Sequence, residues 1–176
     1  MKASTREKIS DPIRILHLPK YEDIPDVGLY LEQTVKYINS YFEHFDGMNL
    51  TASMVSNYVK KGLVANAVKK LYYREHIAYL IFIAVAKNVL SMENLNLFIA
   101  MQKQSYDAEK AYNYFCVEVE NVMEYVFGVK DTLDDIGSQQ DSEEKVMLRS
   151  TITAAAHKIY LDCCFDAVRE DFADLA

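Results

Sequence analysis

The chain has 176 residues, 51% of them hydrophobic, with 5 glycines, 3 prolines and no tryptophan. That length buries roughly two thirds of the surface an unfolded chain exposes, and so few breakers point to long helices rather than a loop-rich or collagen-like chain. A net charge of −7 excludes a surface coated all over in nucleic acid.

The charge is uneven. Residues 1–46 carry −2, residues 47–100 carry +4 and residues 101–176 carry −9. Any contact with phosphates is therefore expected in the middle stretch. The three cysteines, Cys116, Cys163 and Cys164, make neither a disulfide framework nor a metal-ligand spacing, and they suit a reducing cytoplasm. No apolar run follows Lys2, Arg6 and Lys8, as a signal peptide would require. The longest apolar stretch, Ile77 to Val85, falls far short of a membrane span. A cytoplasmic protein with no membrane association is expected.

In chain order, residues 1–10 are polar and read as a frayed end or an arm. Residues 11–25 contain Pro12, Pro19 and Pro25 and read as an irregular strap, with Ile13, Ile15, Leu16 and Leu18 packed on the body and His17 at the surface. Asp26 then reads as the N-cap of an aromatic-rich helix reaching Phe45, closed by Gly47.

Thr51 caps a short helix that ends at Lys61, before Gly62. Met54, Val55, Tyr58 and Val59 form its inward side. Ser53, Ser56, Asn57 and Lys60 form a small, polar outward side of the kind that enters a major groove and meets base edges. Lys69 to Tyr73 reads as one strand of a small hairpin. Lys61, Lys69, Lys70 and Arg74 are the expected phosphate contacts, with His76 in the next helical turn as a further one or as a hydrogen-bonded surface group.

From Arg74 to Leu90 the chain is apolar nearly all round, the pattern of a helix enclosed on several sides. Ser91 caps a further helix with Leu95, Leu97, Phe98 and Met101 on its apolar face. Residues 102–129 read as one long helix. After an acidic loop with Asp131, Asp134, Asp135, Gly137 and Ser138, a second long helix begins near Asp141 or Ser142. Its inner side is marked by Val146, Thr153, Ala156, Ile159, Tyr160, Cys163, Ala167 and Phe172. The two should pair antiparallel.

Catalytic signatures are missing. Neither GxxxxGK[ST] nor GxGxxG occurs, nor does HExxH or CxxC. The acidic loop lacks the ligand alternation of a calcium site. Glu118, Glu120 and Glu124 have no accompanying Glu-x-x-His element of a di-iron bundle. His157 and Cys164 lie two turns apart but do not make a thiol site against an ordinary helical core. No enzyme, cofactor or metal is expected.

Tyr58, Gly62 and Leu63 form a Tyr-x-x-x-Gly-Leu element. Tyr73 precedes an apolar helix with Ile77 and Leu80, and Ser91, Met92, Glu93 and Leu95 form a serine-capped start. Residues 48–101 thereby resemble the winged-helix head of MerR-type transcriptional regulators. With the leading segment LPKYEDIPDVGLYLEQ, the chain resembles a bacterial family of unknown function that has a MerR-like helix-turn-helix. Where MerR-type heads carry an arginine and two aromatics, this chain reads Ser56, Asn57 and Tyr58. Lys60, Lys61 and the hairpin lysines would then supply the phosphate contacts. About 45 residues precede the head, which usually opens such proteins.

The resemblance implies a predominantly all-α fold in three parts: an N-terminal strap and helix over 1–46, a winged helix-turn-helix head over 47–101, and an antiparallel hairpin of long helices over 102–176. It implies binding to double-stranded DNA as a transcriptional regulator, and a homodimer joined by the C-terminal helices. Two other readings stand beside it. One is a helical protein–protein interaction module that keeps the winged-helix shape. The other is an effector sensor whose tyrosine-rich helices enclose a small apolar ligand, recognisable by an enclosed cavity and unpaired tyrosine hydroxyls.

Overall fold

The computed structural model describes residues 3–136 and 142–173, with side chains described over 8–136 and 142–170. Gly137, Ser138, Asp141 and the side chain of Phe172 lie outside the described residues. Seven α-helices, two single-turn 3-10 helices (Tyr21–Asp23 and Asp46–Met48) and one short strand pair make up the regular structure of the described residues. The α-helices and strands are α1 (Ala3–Arg14), β1 (Leu29–Tyr30), α2 (Leu31–Asn39), α3 (Ala52–Lys60), β2 (Leu71–Tyr72), α4 (Arg74–Ala86), α5 (Met92–Ser105), α6 (Ala108–Val126) and α7 (Glu143–Ala173).

Helix α4 is the central post. Its nine buried residues include Ile77, Leu80, Ile81 and Ile83, none with any exposed surface. It packs against α2, α6 and α7, which explains an apolar pattern with no clear polar face. Around it α6 and α7 pack side by side, but parallel and not antiparallel as expected. Tyr114 meets Lys145, Glu118 meets Arg149 and Phe127 meets Tyr160, because the connection runs back along α6, with Asp134 bonded to Asn121. Buried Ile152, Ala155, Ala156 and Ile159 of α7 complete a hydrophobic core that also takes in Phe42, Met48 and Leu50. The core therefore runs without interruption through all three parts into which the sequence divides the chain.

Three further elements, and some single side chains, differ from the sequence reading. Residues 3–14 are helical, with Pro12 inside the last turn of α1. Proline there removes one helical hydrogen bond, but Ile9, Ile13 and Leu16 are buried, and that burial outweighs the lost bond. Ile15, expected inward, is exposed. Beyond α1 the strap is held against α6 by specific bonds. Leu18 N donates to Glu120 Oε1 at 2.9 Å and Tyr21 N to Asn113 Oδ1 at 2.8 Å.

The helix expected from Asp26 to Phe45 is shorter, because Leu29 and Tyr30 are drawn into a strand. Leu29 pairs with Tyr72 and Tyr30 with Leu71, antiparallel. Gly28 allows that approach: a Cβ there would lie 2.6 Å from Leu71 Cβ. Helix α2 begins immediately after, its first turn closed by Tyr30 N donating to Gln33 Oε1 at 2.9 Å.

The helix expected over 102–129 is in fact two. Tyr106 adopts extended backbone, and Asp107 caps α6 by accepting from Lys110 N at 2.8 Å. A good N-cap offers the chain a new start more favourable than continuing the old helix. Finally, Leu97 and Val146, assigned inward by periodicity, are exposed.

Candidate nucleic-acid interface

Helices α2 and α3 pack on one another, joined by residues 40–51. The connection is fixed at its far end by the side chain of Asn39. Its Nδ2 donates to Leu50 O at 2.9 Å, and its Oδ1 accepts from Leu50 N at 2.8 Å. Thr51 then caps α3, its hydroxyl accepting from Met54 N at 3.2 Å. Val55 and Tyr58 are buried on the inner side of the helix. Gly62, at φ +79°, closes it, a conformation glycine adopts without steric penalty.

The outer side of α3 collects Ser53, Ser56, Asn57 and Lys60, all exposed. Their spacing of three, four and seven residues places them on one face. Ser56 Oγ donates to Ala52 O at 2.8 Å, so this hydroxyl presents its acceptor lone pairs outward. Lys60 and Lys61 sit at the helix C-terminus, where the helix dipole favours positive charge.

The hairpin expected after α3 is present, with a different partner for its strand. Val68 and Leu71 exchange both backbone hydrogen bonds, 3.0 and 2.9 Å, around a two-residue turn of Lys69 and Lys70. Strand β2, continuing from Leu71, pairs on its other side with β1 from the N-terminal segment. Lys69 and Lys70 have φ of 51° and 69°. Such a turn suits Asn-Gly. Two lysines in the left-handed region cost about 1–2 kcal/mol each. Both side chains are exposed, and among the described residues neither forms an ion pair.

Arg74 and His76 are differently placed. Arg74 Nε donates to Ile24 O at 2.8 Å and its Nη2 to Glu22 O at 3.1 Å, while the guanidinium lies 5.8 Å from the Tyr21 ring centre. It is the clasp that holds the strap to α4. The Nδ1 atom of His76 accepts from Tyr73 N at 3.1 Å, capping α4, and its Nε2 lies 3.3 Å from Asn66 O. Both bonds are made by the neutral ring with its proton on Nε2. Each of these side chains is thus engaged within the protein. The outward set that remains is Ser53, Ser56, Asn57, Lys60, Lys61, Lys69 and Lys70.

A protein-family model described as "Domain of unknown function (DUF1836)" matches residues 19–115, more than half of the chain. The chain belongs to this family. The matched stretch runs from the strap through β1, the α2–α3 pair, the Lys69–Lys70 turn, α4 and α5 into the first part of α6; α7 lies beyond it. It therefore contains every member of the outward set. No curated protein and no solved structure matches the chain.

Sequence reasoning did not find the Asn39 clamp or the clasp role of Arg74. An asparagine at a helix end gives no sign of which distant backbone it will bind, and a basic residue beside two lysines reads as part of their cluster. Among the described residues no group of three or more His, Cys, Asp or Glu side chains is placed to hold a metal ion. No described helix is long and apolar enough to cross a membrane.

Proposed function

We propose that this protein binds double-stranded DNA sequence-specifically and acts as a transcriptional regulator of the MerR-like type. The observation that carries the reading is the strained Lys69–Lys70 turn. Strain of this kind at an exposed tip calls for a functional reason, and among the described residues neither lysine forms an ion pair. In this reading α2 and α3 form the helix-turn-helix. Helix α3 presents Ser53, Ser56, Asn57 and Lys60 to base edges, and Lys61 and the hairpin tip meet phosphates.

The C-terminal end of α7 supports the dimer. Leu161, Phe165 and Val168 are exposed at spacings of four and three residues, a stripe on one helical face. Intrahelical ion pairs Lys158–Asp162 and Arg169–Asp166 flank it. A second copy of α7 laid antiparallel, with the two-fold axis near Phe165, would cover both stripes and set Asp162 of each copy against Arg169 of the other. The same stripe favours the second reading, an interaction module without DNA.

The deciding experiment selects from a randomised duplex pool at two salt concentrations, with a Lys60→Ala/Lys61→Ala variant in parallel. Enrichment of a pseudo-palindrome that the variant loses establishes the regulator. Binding without enrichment leaves nonspecific association. No binding at low salt transfers the weight to protein interaction. Solution mass of the full chain reads the dimer, and Phe165→Glu should reduce it to a monomer.

A further inference from the structure

Helices α4, α5, α6 and α7 enclose a half-open cavity of about 520 Å³, within the range of pockets that take small organic ligands. Its inner wall is built from buried aromatic and aliphatic side chains. Phe82 stacks on Phe98, with ring centres 5.6 Å apart at 14°, and meets Phe115 edge-on at 5.6 Å. Leu148 faces them from α7.

The polar groups of the wall mostly satisfy one another. Tyr79 Oη donates to Gln102 Oε1 at 2.9 Å, and Gln102 Nε2 donates to Tyr106 O at 2.8 Å. The carboxylate of Glu144 accepts from Ser105 Oγ at 2.9 Å. Two ammonium groups remain. Lys110 Nζ lies 5.7 Å from the Tyr106 ring centre and Lys145 Nζ 5.2 Å from that of Tyr114. Among the described residues neither makes an ion pair, and both line the cavity.

An apolar interior whose polar groups are mostly paired, the buried Tyr112 hydroxyl excepted, opening between two lysines that make no ion pair among the described residues and one engaged glutamate, selects for a particular ligand chemistry. We propose that this cavity binds a small amphipathic carboxylate. Its alkyl or aryl body lies against Phe82, Phe98 and Leu148, and its carboxylate meets Lys110 and Lys145. A charge-assisted hydrogen bond is about twice as strong as a neutral one, so the anion is preferred over a neutral or cationic relative of the same shape. The site is independent of the DNA reading and is tested without DNA.

The test is calorimetric titration of the full chain with octanoate, octanamide and octylamine. Octanoate should bind saturably at one site, at least about tenfold tighter than the other two. Lys110→Gln/Lys145→Gln should bring octanoate down to the level of octanamide while octanamide stays unchanged. These are surface changes that leave the core intact, so the test does not depend on a variant that fails to fold. Ala111→Trp should fill the cavity and abolish binding of both, with a thermal melt confirming that it folds. No saturable octanoate binding up to about 1 mM, equal affinity for octanoate and octanamide, or octanoate binding untouched in the lysine variant would overturn the proposal.

Discussion

Asn39 grips Leu50 by both of its backbone polar groups, at 2.9 and 2.8 Å. This side chain imitates a strand partner and fixes where α3 starts relative to α2. Asn39→Ala removes two hydrogen bonds and leaves the backbone of nearly buried Leu50 without partners, a loss of about 2–3 kcal/mol. Urea unfolding measures it. Asn39→Asp keeps the acceptor for Leu50 N but turns a carboxylate oxygen on Leu50 O, so it should be no better than alanine. A variant as stable as the parent would show that the clamp is not what orders the connection.

The Lys69–Lys70 turn sets stability against binding. Replacing it with Asn-Gly, the favoured pair for two successive left-handed residues, should raise stability by about 1–3 kcal/mol. If the tip meets phosphates, the same exchange should weaken all duplexes alike and lower the salt slope of binding by about 2. Chemical denaturation and salt-dependent binding read the two effects separately. Unchanged salt dependence would remove the hairpin tip from the interface.

Glu118 is fully buried, and Arg149 of α7 reaches it with a bidentate pairing, the Nη2–Oε2 contact being 3.3 Å. The bond also holds the Arg149 guanidinium above its ordinary pKa. Arg149→Met leaves a carboxylate in the core without its cation and should cost about 3–5 kcal/mol. Adding Glu118→Met should recover most of that loss, because a well-packed apolar pair is often as stable as a buried ion pair. Failure of the second change to rescue the first would mean that Arg149 acts through packing rather than through charge.

Much of this molecule could be read from residue order. Helix α4, the Thr51 and Ser91 caps and the Gly62 stop all follow from local patterns, as does the contact of α6 with α7, though not its parallel direction. What failed depended on contacts between distant residues. The strand at Leu29–Tyr30 exists because β2, some forty residues on, lies beside it, and no local pattern announces that. Pro12 is tolerated in α1 because burial of its neighbours outweighs a lost bond. Within the candidate site, exposure of the α3 face was legible from spacing. The internal use of Arg74 and His76 was not, since both acceptors of the Arg74 side chain are backbone carbonyls of the strap. The cavity arises where four helices meet, and only the abundance of tyrosine hinted at it.

Among the described residues, the buried hydroxyl of Tyr112 has no hydrogen-bond partner. Beside it lies the thiol of Cys116, which itself donates to Pro19 O at 3.7 Å, with the phenols of Tyr37 and Tyr41 also nearby. A thiol is a weak partner for a hydroxyl. Tyr112→Phe removes the unsatisfied group and keeps the ring contacts with Tyr21 and Phe115. It should be neutral or stabilise by about 1 kcal/mol. A clear loss of stability would show that the hydroxyl does have a partner in solution.

Alkali should unfold this protein through its buried acids. Burial pushes the Cys116 thiol from 9.0 up to about 12, and burial together with the nearby Glu75 pushes the Tyr79 phenol from 10.0 up to about 12. Burial also raises Tyr37 and Tyr112. In each case the folded pKa lies above the unfolded one, so above pH 9 the folded chain holds protons that the unfolded chain releases. Their contribution is complete below about pH 9 and is lost progressively toward pH 12. Melting temperature should therefore fall steadily over that interval. Cys116→Ala should make the first part of the fall, between about pH 9 and 10, shallower, since it removes one of the two thiols, with Cys163, that burial raises from the lowest unfolded pKa of these groups. The parent thiol should also resist alkylation at pH 8 until the protein unfolds, because burial keeps it protonated. A melting temperature constant from pH 9 to 12, or rapid native-state labelling of Cys116, would contradict the burial that the structure gives these groups.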